Sequence, residues 1–171
     1  MKRSSATTAA ATMVLALIGA CSGPDPDASM QAARQALERR DRAAAVVELR
    51  NVLQRRPADA EARRLLGEQW LAMGDAQAAE IEFGKALDAG AAPAAVVPML
   101  ARAQWNRGRV DALIDRWGQT HLSQPVAEAE LRTVLAAAYR ARGDTARADA
   151  ALAAALQAVP GHPPALLQRA R

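Results

Sequence analysis

The chain is 171 residues long, with 51% hydrophobic but only 3% aromatic residues and a formal net charge of +4, part of which belongs to Lys2 and Arg3. Ala, Leu, Arg, Glu and Gln dominate while Val and Ile are few, so there is little material for a β-sheet; helices around a thin, alanine-lined core are expected. Basic residues are interleaved with Asp and Glu along the whole chain, which argues against a phosphate-binding stripe and against nucleic acid as a partner.

The chain opens on Met1-Lys2-Arg3 and then an apolar run from Ala9 to Ile18 interrupted only by Thr12. A bilayer-spanning helix needs roughly 20 apolar residues, so this run is too short to span, and residues 1–20 read as a signal peptide. Ile18-Gly19-Ala20-Cys21 resembles the bacterial lipobox, and the resemblance implies cleavage before Cys21 and thioether lipidation at Cys21. A diacylglycerol plus an N-acyl chain exceeds the two-signal threshold for stable anchoring. Ser22, rather than Asp, follows the cysteine, which in lipoproteins of Gram-negative bacteria implies the periplasmic face of the outer membrane. Cys21 is the chain's single cysteine, so no internal disulfide forms. Residues 21–27, rich in Gly, Pro and Asp, read as a lipidated tether whose Asp27 is placed to cap the first helix.

From residue 28 to 171 the apolar spacing predicts paired helices. The first is expected over Ala28 to Arg39, Asp41 caps the second, Pro57 ends it and Asp59 caps the third. The stretch Ala60 to Ala91 reads as two antiparallel helices hinged at Gly74: Leu66, Gly67 and Trp70 share one face of the first, and Ala79, Phe83 and Ala86 recur at helical spacing on the second. Gly67 and Ala79 lack bulk where the axes approach, and Phe83 supplies volume beside them. Gly74-Asp75 and Gly143-Asp144 are the same turn used twice. The slots recur every 34 or 35 residues, giving repeats near 26–59, 60–93, 94–128 and 129–162 and a partial one at 163–171. The third departs most, with Gln104 in the aromatic slot, Leu113 in a small slot and Thr120 in another. Pro98 is expected to shorten or kink its helix, residues 121–125 to form a mobile joint, and Pro163 to Arg171, whose Ala165, Leu166 and Ala170 follow helical spacing, to cap the last repeat in part, with Leu166 and Leu167 contributing what burial it gains.

Leu-Gly-x-x-aromatic, then Gly, then Ala-x-x-x-Phe-x-x-Ala resembles the tetratricopeptide repeat (TPR), although Arg63 stands where that family often has tryptophan and Ala91 where it often has proline. The resemblance implies an all-α fold, an α-solenoid of about four helix-turn-helix repeats plus a C-terminal stub helix. It also implies a groove lined by first-helix residues outside the packing slots, here Arg34, Arg64, Glu68, Arg102, Trp105 and Arg140, with a protein or peptide partner lying in it. Peptide-binding relatives often clamp a C-terminal carboxylate with Lys and Asn. This chain lacks that set, so the clamp is not carried over. The four arginines suit acidic ligands, with Trp105 as an apolar anchor. The alternative reading has the arginines solvating an alanine-rich surface while Trp105 turns into a core vacancy left by Gln104.

The run Asp41 to Trp117 is similar to the first repeats of the large TPR lipoproteins that accompany exosortase (PEP-CTERM) protein-sorting and exopolysaccharide clusters, members of which are several times longer. His121 and His162 fall in inter-repeat turns with no cysteine or carboxylate at a metal-binding interval, and neither GxSxG, HExxH nor a phosphate loop occurs. No catalytic residue, metal site or cofactor is therefore expected, and binding is the expected activity. Two roles remain open at this point: a membrane-tethered scaffold in envelope assembly, polysaccharide export or protein sorting, and an accessory or inhibitory subunit of an envelope hydrolase or protease.

Overall fold

The computed structural model describes residues 25–170; the expected signal peptide, Cys21 and most of the expected tether lie outside the described residues. Among those described there are nine helices and no strand: α1 Pro26–Glu38, α2 Arg42–Arg55, α3 Ala60–Ala72, α4 Ala76–Asp88, α5 Pro93–Asn106, α6 Val110–Trp117, α7 Pro125–Ala141, α8 Thr145–Ala158 and α9 Pro163–Arg169. The first eight pair as four successive hairpins, and each hairpin packs on the next through its neighbouring helices. The architecture is the expected α-solenoid. None of the described helices is long and apolar enough to cross a membrane.

The repetition is written in the backbone. In each hairpin turn the residue after a left-handed position donates its N–H to the carbonyl of the aromatic-slot residue: Asp41 to Ala36, Asp75 to Trp70, Arg109 to Gln104 and Asp144 to Tyr139, at 2.9 to 3.0 Å. This six-to-one closure satisfies a carbonyl that the end of the helix would otherwise orphan. Gly74 and Gly143 hold the left-handed position at φ 86° and 76°, but in the first repeat it is Arg40, at φ 59°. Asp41, Asp75 and Asp144 then cap the following helix, accepting from the N–H three residues on. Each such cap stabilises by about 1 kcal/mol.

Packing follows the slots. A Cβ on Gly67 would lie 2.8 Å from the Phe83 ring, so the glycine is what lets α3 and α4 close over a fully buried Phe83. The core has two clusters, one under α1 to α3 around Leu49 and Val52, the other running from Ala79 to Ala165, and the half-buried Trp70 packs against both. Arg63, in the family's tryptophan position, donates to the Pro57 carbonyl and pairs with Glu82 at 2.6 Å, both side chains largely buried.

Several local expectations are corrected. Asp25, not Asp27, caps α1, which begins at Pro26 inside the span expected to be tether; proline at the first helical position makes the preceding residue the cap, and Asp27 instead pairs with Arg56 at 2.7 Å. Pro98 does not shorten α5, which runs through it for 14 residues with Val96, Val97 and Leu100 buried on either side. The fourth hairpin starts at Pro125, four residues ahead of the expected Ala129. The segment expected to be a mobile joint is tied to α7. Arg132, itself buried, donates to the carbonyls of Gly118 and Thr120 and to Glu128 at 2.7 Å, and Glu128 accepts from the Leu122 N–H at 2.8 Å. The stub does cover the open side of α7 and α8, but through a fully buried Ala165 while Leu166 and Leu167 stay 40% and 59% exposed.

Candidate functional site

The first helices of successive hairpins present one continuous face, and three depressions lie along it. At its N-terminal end, Leu37, Arg40 and Arg42 bound a hollow of about 400 Å³ floored by Glu68 and Gln69. A second, about 450 Å³, shares Arg42, Glu68 and Gln69 with it and extends across α3 to Met99 and Arg102 of α5. The third, about 510 Å³, lies on the other side of α5 between Trp105, Ala137, Arg140, Ala141 and Gln168. Helix α5 is the wall between them, with Arg102 on one side and Trp105 on the other.

Of the six expected groove residues, Glu68 and Arg102 line the second depression, Trp105 and Arg140 the third, and Arg34 and Arg64 none of the three. Arg34 spans from α1 to Glu61 of α3 at 3.0 Å and lines none of these three depressions. Arg64 is spent on Glu68, one turn along α3, and burial pushes the Glu68 carboxyl above its ordinary value with the Arg64 charge pulling against it. Arg140 donates to the Gln168 carbonyl at 3.0 Å and lies 3.7 Å from Asp149. Of the four arginines, only Arg102 forms no ion pair among the described residues.

Trp105 faces the third depression with its inner side packed on the core, so it does not fill a vacancy beside Gln104. There is none. Gln104 is buried, accepts from the Trp117 indole N–H at 2.9 Å and donates to Glu80 at 3.3 Å. Sequence reasoning missed Arg40, Arg42, Gln69 and Gln168. A signal for Gln69 did exist: it occupies the slot in which the third and fourth repeats carry fully buried Ala103 and Ala138. His162, read as a bland turn residue, is buried with its Nε2 unpartnered. Among the described residues no group of three His, Cys, Asp or Glu is placed to hold a metal ion.

No family model matches the chain, and no curated protein does. Solved structures do. The crystal structure of MamA protein superposes with a TM-score of 0.73 over 82% of this chain and 76% of that one, at 20% identity. YrrB, described as a TPR protein with an unusual peptide-binding site, superposes with a TM-score of 0.54 over 86% of this chain and 93% of that one, at 14% identity. At such identities the likeness speaks for the fold, and it agrees with the four repeated turn closures: the chain is an α-solenoid of tetratricopeptide-type repeats.

Proposed function

We propose that the chain is a non-catalytic scaffold that holds a protein or peptide segment along the face formed by α3, α5, α7 and α9, and that a lipid on Cys21 keeps it at the membrane. The observation that carries the binding role is the row of depressions, with an unpaired Arg102 and a half-buried Trp105 one turn apart on α5, each bordering a different depression. The YrrB likeness supports a peptide as the kind of occupant. Lipobox and leader support the anchor, and with it a place in envelope assembly, polysaccharide export or protein sorting.

A photo-crosslinking residue at position 102 tests the binding role in membranes. Discrete adducts are expected there and not from position 81, where Ile81 is exposed on the second helix of its hairpin. Equal labelling from both positions argues against a groove-specific partner. Mass spectrometry of the membrane-bound protein decides the anchor: an unmodified Cys21, or full membrane retention by Cys21→Ser, overturns it.

A further inference from the structure

The groove offers two unlike ends a fixed distance apart, and that spacing specifies what fits. Arg40, Arg42 and Arg102 border the N-terminal depressions without a carboxylate partner among the described residues, and the carboxylate on the floor, Glu68, is already held by Arg64. The site is short of negative charge, and an arginine fork takes a carboxylate bidentately. Gln69, more than nine-tenths buried, floors the same hollows; its Nε2 makes one long bond of 3.4 Å to the Leu65 carbonyl, and its Oε1, bonded to no described residue, is reached by solvent from the hollow. A main-chain N–H satisfies such a carbonyl. Beyond α5 the character changes: Trp105 stands over Ala137 and Ala141, small residues that leave room for a large apolar side chain, and Arg140 is turned aside to Gln168.

Arg102 and Trp105 are three positions apart on one helix, where side chains are separated by about 5–6 Å. Same-face side chains of an extended strand, two residues apart, are separated by about 6.6–6.8 Å. We infer that the groove reads an extended segment in which an acidic side chain and a bulky apolar one stand two residues apart, the carboxylate between Arg42 and Arg102 and the apolar group against Trp105. The inference rests on the groove-binding role and adds the motif that it recognises. No chain terminus is required of the ligand.

The test uses the full chain in detergent and fluorescein-labelled peptides, amidated at the C-terminus, with Glu and Phe in a Gly/Ser background at separations of one, two and four residues. Anisotropy is expected to show about tenfold tighter binding at a separation of two, with Arg102→Ala and Trp105→Ala each costing about tenfold and Arg140→Ala less than about twofold. Equal affinities across the three separations, or an Arg102→Ala variant that binds as the parent does, overturn the motif. So does a failure of all three peptides to bind. In each of these cases crosslinking at position 102 still reports whether anything occupies the groove, which separates the motif's failure from failure of the groove-binding role.

Discussion

Hairpins two and three solve the same packing problem by different chemistry. In α3–α4 the crossing is closed by absence, since Gly67 has no side chain and the Phe83 ring fills the space with fully apolar contact. In α5–α6 the corresponding positions are Ala101 and Trp117, and the aromatic slot holds Gln104, whose carboxamide accepts from the Trp117 indole. The second solution is directional, and its surroundings are built to suit: Glu80, on the preceding hairpin, receives Gln104, Arg107 and Arg109 together. The second helix of hairpin three is also the shortest of the four at 8 residues, begins at Val110 with no side-chain cap from Arg109 before it and ends before the Thr120 slot. A degenerate repeat keeps its register because its turn closure survives, Arg109 to Gln104, while a polar tie and a neighbouring carboxylate replace the lost apolar fit.

The sharpest way to break the comparison is at Gly67. Gly67→Leu forces bulk into a ring already 2.8 Å from where a Cβ would sit, and overpacking there is expected to cost about 3 kcal/mol. Arg64→Leu, which alters a partly exposed pair, is expected to cost under about 1 kcal/mol. Urea unfolding of the two variants is the measurement, and equal midpoints contradict the packing described for hairpin two.

Next in size is Gln104→Leu, which leaves the buried Trp117 N–H without an acceptor and is expected to destabilise by about 2 kcal/mol. Adding Trp117→Phe removes the orphaned donor, so the double variant should recover a large part of that loss and make hairpin three resemble hairpin two. Strict additivity of the two substitutions shows that the contact carries no coupling.

Two glutamates sharpen the same contrast through pH. Burial pushes the Glu80 carboxyl up, but hydrogen bonds from Arg107 and Gln104 and the charge of Arg109 outweigh it and hold Glu80 below its ordinary 4.5. A depressed folded pKa stabilises above the unfolded value, and that contribution fades as pH falls through 4.5 toward the lowered one. Glu80→Gln is therefore expected to cost about 1 kcal/mol at neutral pH and progressively less in acid. Glu68, raised by burial, runs the other way: the folded state binds its proton more tightly, so Glu68→Gln relieves a penalty at neutral pH and loses that advantage on acidification. Parallel pH dependences of the same sign for both variants contradict these assignments.

The parts of this molecule legible in sequence are those that a fixed spacing encodes. The slots at Leu66, Gly67 and Trp70, the paired Gly-Asp turns and the caps at Asp41 and Asp59 all depend on residues within a few positions of one another. The Arg64–Glu68 pair had the same kind of signature, one turn apart. What stayed hidden is contact across the solenoid. Arg34 meets Glu61, 27 residues on, and Arg132 reaches back 12 residues to hold the Thr120 carbonyl, so neither a spent groove arginine nor a tethered loop announces itself in periodicity. Exposed leucines on α9 have a simpler cause: a helix of 7 residues has one inward face, and Ala165 takes it.

Arg40 joins the two themes of register and groove, and it is where the smallest effect is expected. It stands 34 residues before Gly74, in the position that hairpins two, three and four fill with glycine, and it holds φ 59° where a Cβ crowds the neighbouring carbonyl. That strain is tolerated where the side chain borders the N-terminal depression beside Arg42. Arg40→Gly should relieve it, offset in part by glycine's greater freedom in the unfolded chain, for a net gain of about 0.5–1 kcal/mol in urea unfolding. The same substitution removes one of the cations around Glu68, so affinity for the Glu-and-Phe peptide should fall about twofold to fivefold as stability rises. Opposite movement of stability and affinity is what a residue retained for the groove produces. A variant that gains stability with unchanged affinity places Arg40 in the turn alone, and leaves Arg42 and Arg102 as the cations that receive the acidic side chain.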